Sequence, residues 1–165
     1  MEQFLYSNLI GLPVASVDGQ KKIGFVSRVI VDFSQFEILG FLMKKYIFLP
    51  EKFIAFFDIA DIEKEAVLIR SEENLSDISE IVRVNAIVKR GFNLIGLSVW
   101  TKEGKYLGRV TDFSFEFETQ KIKQFYTKVF FWSGKIFSRS KIIKINQKSI
   151  IVENNMLASG VAEIA

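Results

Sequence analysis

The sequence predicts an all-β protein: two small antiparallel β-barrels in tandem, with a short connecting helix and a short C-terminal helix. Three observations carry that expectation. The stretch Asn8-Leu9-Ile10-Gly11-Leu12-Pro13-Val14 returns 85 residues later as Asn93-Leu94-Ile95-Gly96-Leu97-Ser98-Val99, identical at six of seven positions. Apolar residues within each copy mostly alternate with a period of two, the signature of a strand with one buried face. An acidic residue and glycine, Asp18-Gly19 and Glu103-Gly104, precede the long alternating segment of each copy and supply turn chemistry.

The correspondence continues at a separation of 84, with Ile23-Gly24-Phe25-Val26 over Leu107-Gly108-Arg109-Val110, Phe33 over Phe117, Ile38 over Ile122 and Phe41 over Phe125. Near the end of each copy Ala66-Val67-Leu68-Ile69 lies over Ser149-Ile150-Ile151-Val152 at a separation of 83. Units of about 80 residues can each close a core. They are too long and too few for a solenoid, which needs several short neighbours.

Strands are expected near 12–17, 22–33, 36–48, 53–60 and 65–70, then near 97–102, 106–117, 121–132, 136–145 and 149–153. In the long strand of the first copy Ile23, Phe25, Val29, Val31 and Phe33 share the inward face, opposite Lys22, Gly24, Arg28 and Asp32. The second copy sets Leu107, Phe113, Phe115 and Phe117 against Gly108, Asp112, Glu116 and Glu118. A sheet this small with an aromatic face buries it by curling into a barrel, which also protects its edges. Between the copies, Asn74 or Ser76 can cap a helix on which Leu75, Ile78, Ile81, Val82 and Ala86 recur near helical spacing. The tail from Asn154 to Ala165, with Leu157, Val161 and Ile164, reads as the matching helix of the second copy. The domains expected are a first barrel at 1–75, a connecting helix at 76–90 and a second barrel at 91–165.

Composition narrows the function. The chain has no cysteine and no histidine. That removes thiolate nucleophiles, zinc–thiolate sites, the commonest general base and the commonest soft metal ligand, so the expectation is a non-enzyme with no cofactor. The uncharged stretch from Gln3 to Val17 is too short to span a bilayer and contains Asn8 and Pro13. A soluble, cytoplasmic protein is expected. Charge divides unevenly: residues 1–89 carry 10 Lys and Arg against 13 Asp and Glu, and residues 90–165 carry 12 against 6, or −3 and +6. From Thr119 to Val152 no residue is acidic.

No phosphate-loop spacing surrounds Gly11, Gly24, Gly96, Gly104 or Gly108, so these read as turn and barrel-corner glycines. Asp58, Asp61, Glu63 and Glu65 could hold a hard cation, but they lack the EF-hand pattern and read as a charged hairpin tip. The basic run is the surface feature that stands out. Lys121, Lys123, Lys128, Lys135, Arg139, Lys141 and Lys144 are interleaved with aromatics that include Phe130, Phe131 and Trp132. Aromatic faces with cations suit single-stranded RNA, whereas barrel filling and edge protection explain the same residues without a ligand. Three consecutive aromatics on a strand cannot all point inward, so at least one of Phe130, Phe131 and Trp132 is expected to meet solvent or a partner.

The order L-I-G-x-x-V, an acidic-Gly turn and a G-x-V strand entry occurs over Leu9 to Val26 and again over Leu94 to Val110. In this order it resembles the PRC-barrel family, as a tandem pair covering nearly the whole chain. The resemblance implies a small antiparallel β-barrel used as a docking module, as in the cytoplasmic part of the H subunit of purple-bacterial photosynthetic reaction centres and the C-terminal part of a ribosome-maturation factor. The sequence shows neither the membrane-spanning helix of the first nor the additional domain of the second. The resemblance therefore implies the fold and not the partner. The expected function is that of a non-enzymatic adaptor binding a protein partner through the aromatic and basic surface of the second barrel. The alternative is an RNA- or ribosome-associated factor, and a peripheral role at an anionic membrane surface also fits the basic stretch.

Overall fold

The computed structural model describes residues 1–155. The first copy comprises β1 (Gln3–Leu5), α1 (Tyr6–Leu9), β2 (Pro13–Ser16), β3 (Lys21–Asp32), β4 (Glu37–Lys44), β5 (Lys52–Ala55), β6 (Ile59–Ile62), β7 (Val67–Ile69) and β8 (Ser76–Asp77). After α2 (Val82–Arg90) the second copy follows as β9 (Ser98–Thr101), β10 (Tyr106–Glu116), β11 (Ile122–Val129), β12 (Trp132–Ser138), β13 (Ile142–Ile145) and β14 (Ser149–Val152). The expected C-terminal helix lies outside the described residues.

The first sheet runs β6-β7-β2-β3-β4-β5-β8, and the second runs β13-β14-β9-β10-β11-β12 with β1 added on β10. The strand order is the same in both. β5 and β6 lie far apart on this path, yet only the three-residue 3-10 turn Phe56–Asp58 joins them. Arg139–Lys141 does the same for β12 and β13. So short a link brings the far strands of the path together only if the sheet curls, which makes each copy barrel-like. The sheets are mostly antiparallel, with one parallel pair per copy, β2 with β7 and β9 with β14. The protein is thus all-β with two tandem barrel-like sheets.

The repeated heptapeptide is a turn. In the first copy Leu12 N–H donates to the Leu9 carbonyl at 3.0 Å, with Ile10 at φ −64°, ψ 124° and Gly11 at φ +85°. This is a type II turn, whose third position needs positive φ and therefore glycine. Gly96, at φ +92°, repeats it beside the bond from Leu97 N–H to the Leu94 carbonyl. Leu9 and Leu94 are buried beneath their turns.

Alternation along the long strands differs from the expectation. In β3 the buried residues are Ile23, Val26, Ile30 and Val31 together with Gly24 and Asp32, which strict alternation places outward, whereas Phe25 and Val29 are only half-buried. Register shifts against β4 fall between Val26 and Arg28, with the extra residue in β3, and between Ile30 and Val31, with the extra residue in β4, and they break the strict alternation. The turn before β3 differs too. Gln20, not Gly19, holds the left-handed conformation at φ 48°, and Gly104 at φ +87° is its counterpart 84 residues on. Between the copies, the chain makes 3-10 turns at Glu72–Asn74 and Ile78–Glu80 before the helix proper starts at Val82. The helix is real but starts later, because Asp77 and Glu80 form a capping box around the second of those turns. Val84 then buries against Ile30, Leu42 and Phe53, and Arg83 pairs with Asp32.

Two compact units result. The first takes in Met1–Phe92 and also Phe115–Ile122; the second takes in Asn93–Ser114 and the chain from Lys123 onward. Within the first unit Phe4 and Phe56 pack on Phe115 and Phe117, with ring centroids 5.1–6.2 Å apart. The core of the second is built from Val99, Leu107, Val110, Phe113, Phe125 and Phe137, with Phe125 and Phe137 stacked at 5.2 Å. No helix among the described residues is long and apolar enough to cross a membrane.

Candidate functional site

The β11–β12 hairpin presents the aromatic triplet. Val129 pairs with Trp132, so Phe130 and Phe131 are the whole loop. Phe130 is 91%, Phe131 100% and Trp132 78% exposed. All three expected aromatics, and not one alone, stand in solvent. Phe130 takes φ +54°, a conformation that hairpin turns ordinarily give to Gly, Asn or Asp and that costs a bulky side chain about 1 kcal/mol or more.

The root of this hairpin is fixed from two sides. The Thr127 hydroxyl accepts from Lys135 N–H at 2.8 Å and donates to the Leu107 carbonyl at 2.9 Å, which holds the bulge where β11 and β12 shift register. On the neighbouring strand, a Cβ on Gly108 would fall 2.4 Å from the Lys128 carbonyl oxygen. Only glycine permits that approach. The first copy repeats it, because a Cβ on Gly24 would fall 2.4 Å from the Lys44 carbonyl oxygen. The motif glycine of each copy is therefore the seat on which the root of a hairpin rests.

The first copy also exposes apolar side chains at the corresponding positions, in the unpaired stretch between β4 and β5. Tyr46, Ile47 and Phe48 lie 84 residues before Phe130, Phe131 and Trp132 and are 64%, 74% and 96% exposed. The expected strand at 36–48 stops at Lys44, and that at 121–132 stops at Val129. Sequence reading missed Tyr46–Phe48, although the repeat register alone would have found it.

The arrangement of charge at the two roots differs. In the first copy Arg28 donates to Glu51 at 2.7 Å, and the Lys44 ammonium lies 3.9 Å from the same carboxylate. Burial pushes the Glu51 carboxyl up, but hydrogen bonds from Arg28 and Ser27 and the charges of Arg28 and Lys44 outweigh it and hold it below its ordinary value. In the second copy Lys135 stands in place of Glu51 and Asp112 in place of Arg28. Lys128 and Lys135 are exposed and form no ion pair among the described residues.

The structure divides the basic run. Lys128, Phe130, Phe131, Trp132 and Lys135 share the hairpin. Lys121 belongs to the first unit, where its ammonium meets Glu37 at 2.7 Å. Lys123 is half-buried near the start of β11, and exposed Arg139 opens the turn after β12. Lys141 reaches Glu153 at 3.3 Å, and Lys144 is exposed on β13. Among the described residues, no three Asp or Glu converge as metal ligands; of the earlier candidates, Asp58 accepts from the Asn74 amide at 2.6 Å.

The family model for the PRC-barrel domain matches residues 1–75 and again residues 87–156. Together with the duplicated strand order, this places the chain in the PRC-barrel family as a tandem pair of these domains. No curated protein matches the chain.

Proposed function

We propose that the protein is a non-enzymatic adaptor, whose contact element is the β11–β12 hairpin. One observation carries the reading: three aromatic side chains stand in water on a tip whose first residue is held in an unfavourable backbone conformation. Exposed contiguous apolar surface mostly marks an interaction site, and strain concentrates where function maintains it. The absence of histidine and cysteine from the sequence supports a binding role over a catalytic one.

The test replaces Phe131 with a photo-reactive amino acid in the full chain inside intact cells, with the same replacement at exposed Glu65 as control. The docking reading expects discrete adducts from position 131 that position 65 does not give. Equal labelling from both positions, or none from 131, overturns it.

A further inference from the structure

We propose that the β11–β12 hairpin inserts its tip into the interfacial layer of an anionic lipid bilayer, with Lys128 and Lys135 at the headgroups. This names the partner of the contact element above and rests on that reading. All three side chains stand in water at a two-residue turn, which suits a surface that yields around them. The repeat supplies the stronger argument. Both copies keep apolar bulk at the corresponding positions, but the loops and the side chains differ, Phe-Phe-Trp at a two-residue turn in one and Tyr-Ile-Phe in the longer unpaired stretch 45–51 in the other. A protein pocket selects shape, and a nucleobase needs a ring face that Ile47 lacks. A bilayer interface accepts any of these side chains, with Trp and Tyr favoured at the headgroup level.

Charge completes the match. Lys128 and Lys135 flank the tip, and the apolar stem of a lysine can lie along the acyl boundary while its ammonium stays at the phosphates. Anionic lipid attracts each such cation enough to change affinity about fivefold. The two roots carry the same sum of charge, but in the first both cations, Arg28 and Lys44, face Glu51, whereas Lys128 and Lys135 of the second form no ion pair among the described residues.

The experiment uses the full chain with Trp100→Phe, which leaves Trp132 as the sole tryptophan. It is mixed at low salt with vesicles of phosphatidylcholine, alone or with phosphatidylglycerol. Expected are co-sedimentation with the anionic vesicles, a shift of Trp132 emission to shorter wavelength, and quenching by lipids brominated on the acyl chains. Phe130→Gly and Phe131→Ser should each weaken binding about tenfold or more, and Lys128→Glu with Lys135→Glu should abolish the preference for anionic lipid. No vesicle binding, unchanged Trp132 emission, or tip variants that bind as well as the parent overturns the proposal. Binding to single-stranded RNA without vesicle binding overturns it in favour of RNA. If position 131 cross-links to protein while vesicles are ignored, the membrane proposal fails and the adaptor reading stands; if it cross-links to nothing, both fail.

Discussion

The β4–β5 hairpin holds Tyr46, Ile47 and Phe48 above a root where Glu51 takes a hydrogen bond from Arg28, while the β11–β12 hairpin holds Phe130, Phe131 and Trp132 above a root of Lys128 and Lys135. The two share the glycine seat at the root and differ in the loop that carries the tip, residues 45–51 in the first against Phe130 and Phe131 in the second, and in the ion pairing beneath it. Each root rests on a glycine that no side chain can replace without moving a strand. That constraint is steric and costs several kcal/mol to violate, whereas an exposed ion pair contributes about 0–1 kcal/mol. Duplicated chains therefore keep the seat and are free to exchange the charges. Here the exchange has kept the sum of charge and changed the pairing: both cations of the first root face Glu51, and Lys128 and Lys135 of the second form no ion pair among the described residues.

The largest expected effects lie at the seats. Gly108→Ala should destabilise its unit by about 3 kcal/mol or more, because the new methyl meets the Lys128 carbonyl and the residue sits at φ +105°. Gly24→Ala meets the Lys44 carbonyl at the same distance without that backbone strain, so it should cost less, though still above about 2 kcal/mol. Denaturant titration of the two variants checks the order, and equal stability to the parent in either would remove the seat from the account. Next in size is the turn before each long strand. Gly104→Val should cost about 1 kcal/mol or more, whereas Gln20→Gly at the equivalent left-handed position should stabilise by up to about 1 kcal/mol. Opposite signs in thermal melts are the expected outcome.

The smallest effect is the ion pair at the first root. The Glu51 carboxyl titrates below its ordinary value in the folded protein, so its contribution is full above the ordinary carboxylate range and is lost as pH falls through the depressed value. Glu51→Gln should remove about 0.5 kcal/mol at neutral pH and flatten that part of the acid-side loss. A parent and variant with the same pH dependence of stability would show that the pair does not stabilise the hairpin.

Much of the fold was legible in the sequence because duplication repeats whatever backbone geometry requires. The Leu-Ile-Gly-Leu turn and the glycine within each long strand, Gly24 and Gly108, recur because positive φ and close approach leave few substitutes. Less was legible where tertiary structure overrides local pattern. The register shifts between β3 and β4 break the alternation that would place Phe25 and Val29 inward, and no residue type signals them. Both hairpin tips read as strand, since Tyr46, Ile47, Phe48, Phe130, Phe131 and Trp132 are good strand formers and Phe130 gives no sign of a turn. The basic run was visible as composition, but only pairing in space separates Lys121 and Lys141, bound to carboxylates, from Lys128 and Lys135.

Phe130→Gly tests the central claim most directly, because it separates what the tip does for the fold from what it does for contact. Glycine relieves the left-handed strain at φ +54° and removes one exposed ring. The account predicts a variant that melts at or above the temperature of the parent, by up to about 1 kcal/mol of added stability, and that binds anionic vesicles about tenfold more weakly or worse. A variant that is less stable, or that binds as tightly as the parent, would contradict it: the first result would make Phe130 part of the scaffold, and the second would place the contact elsewhere.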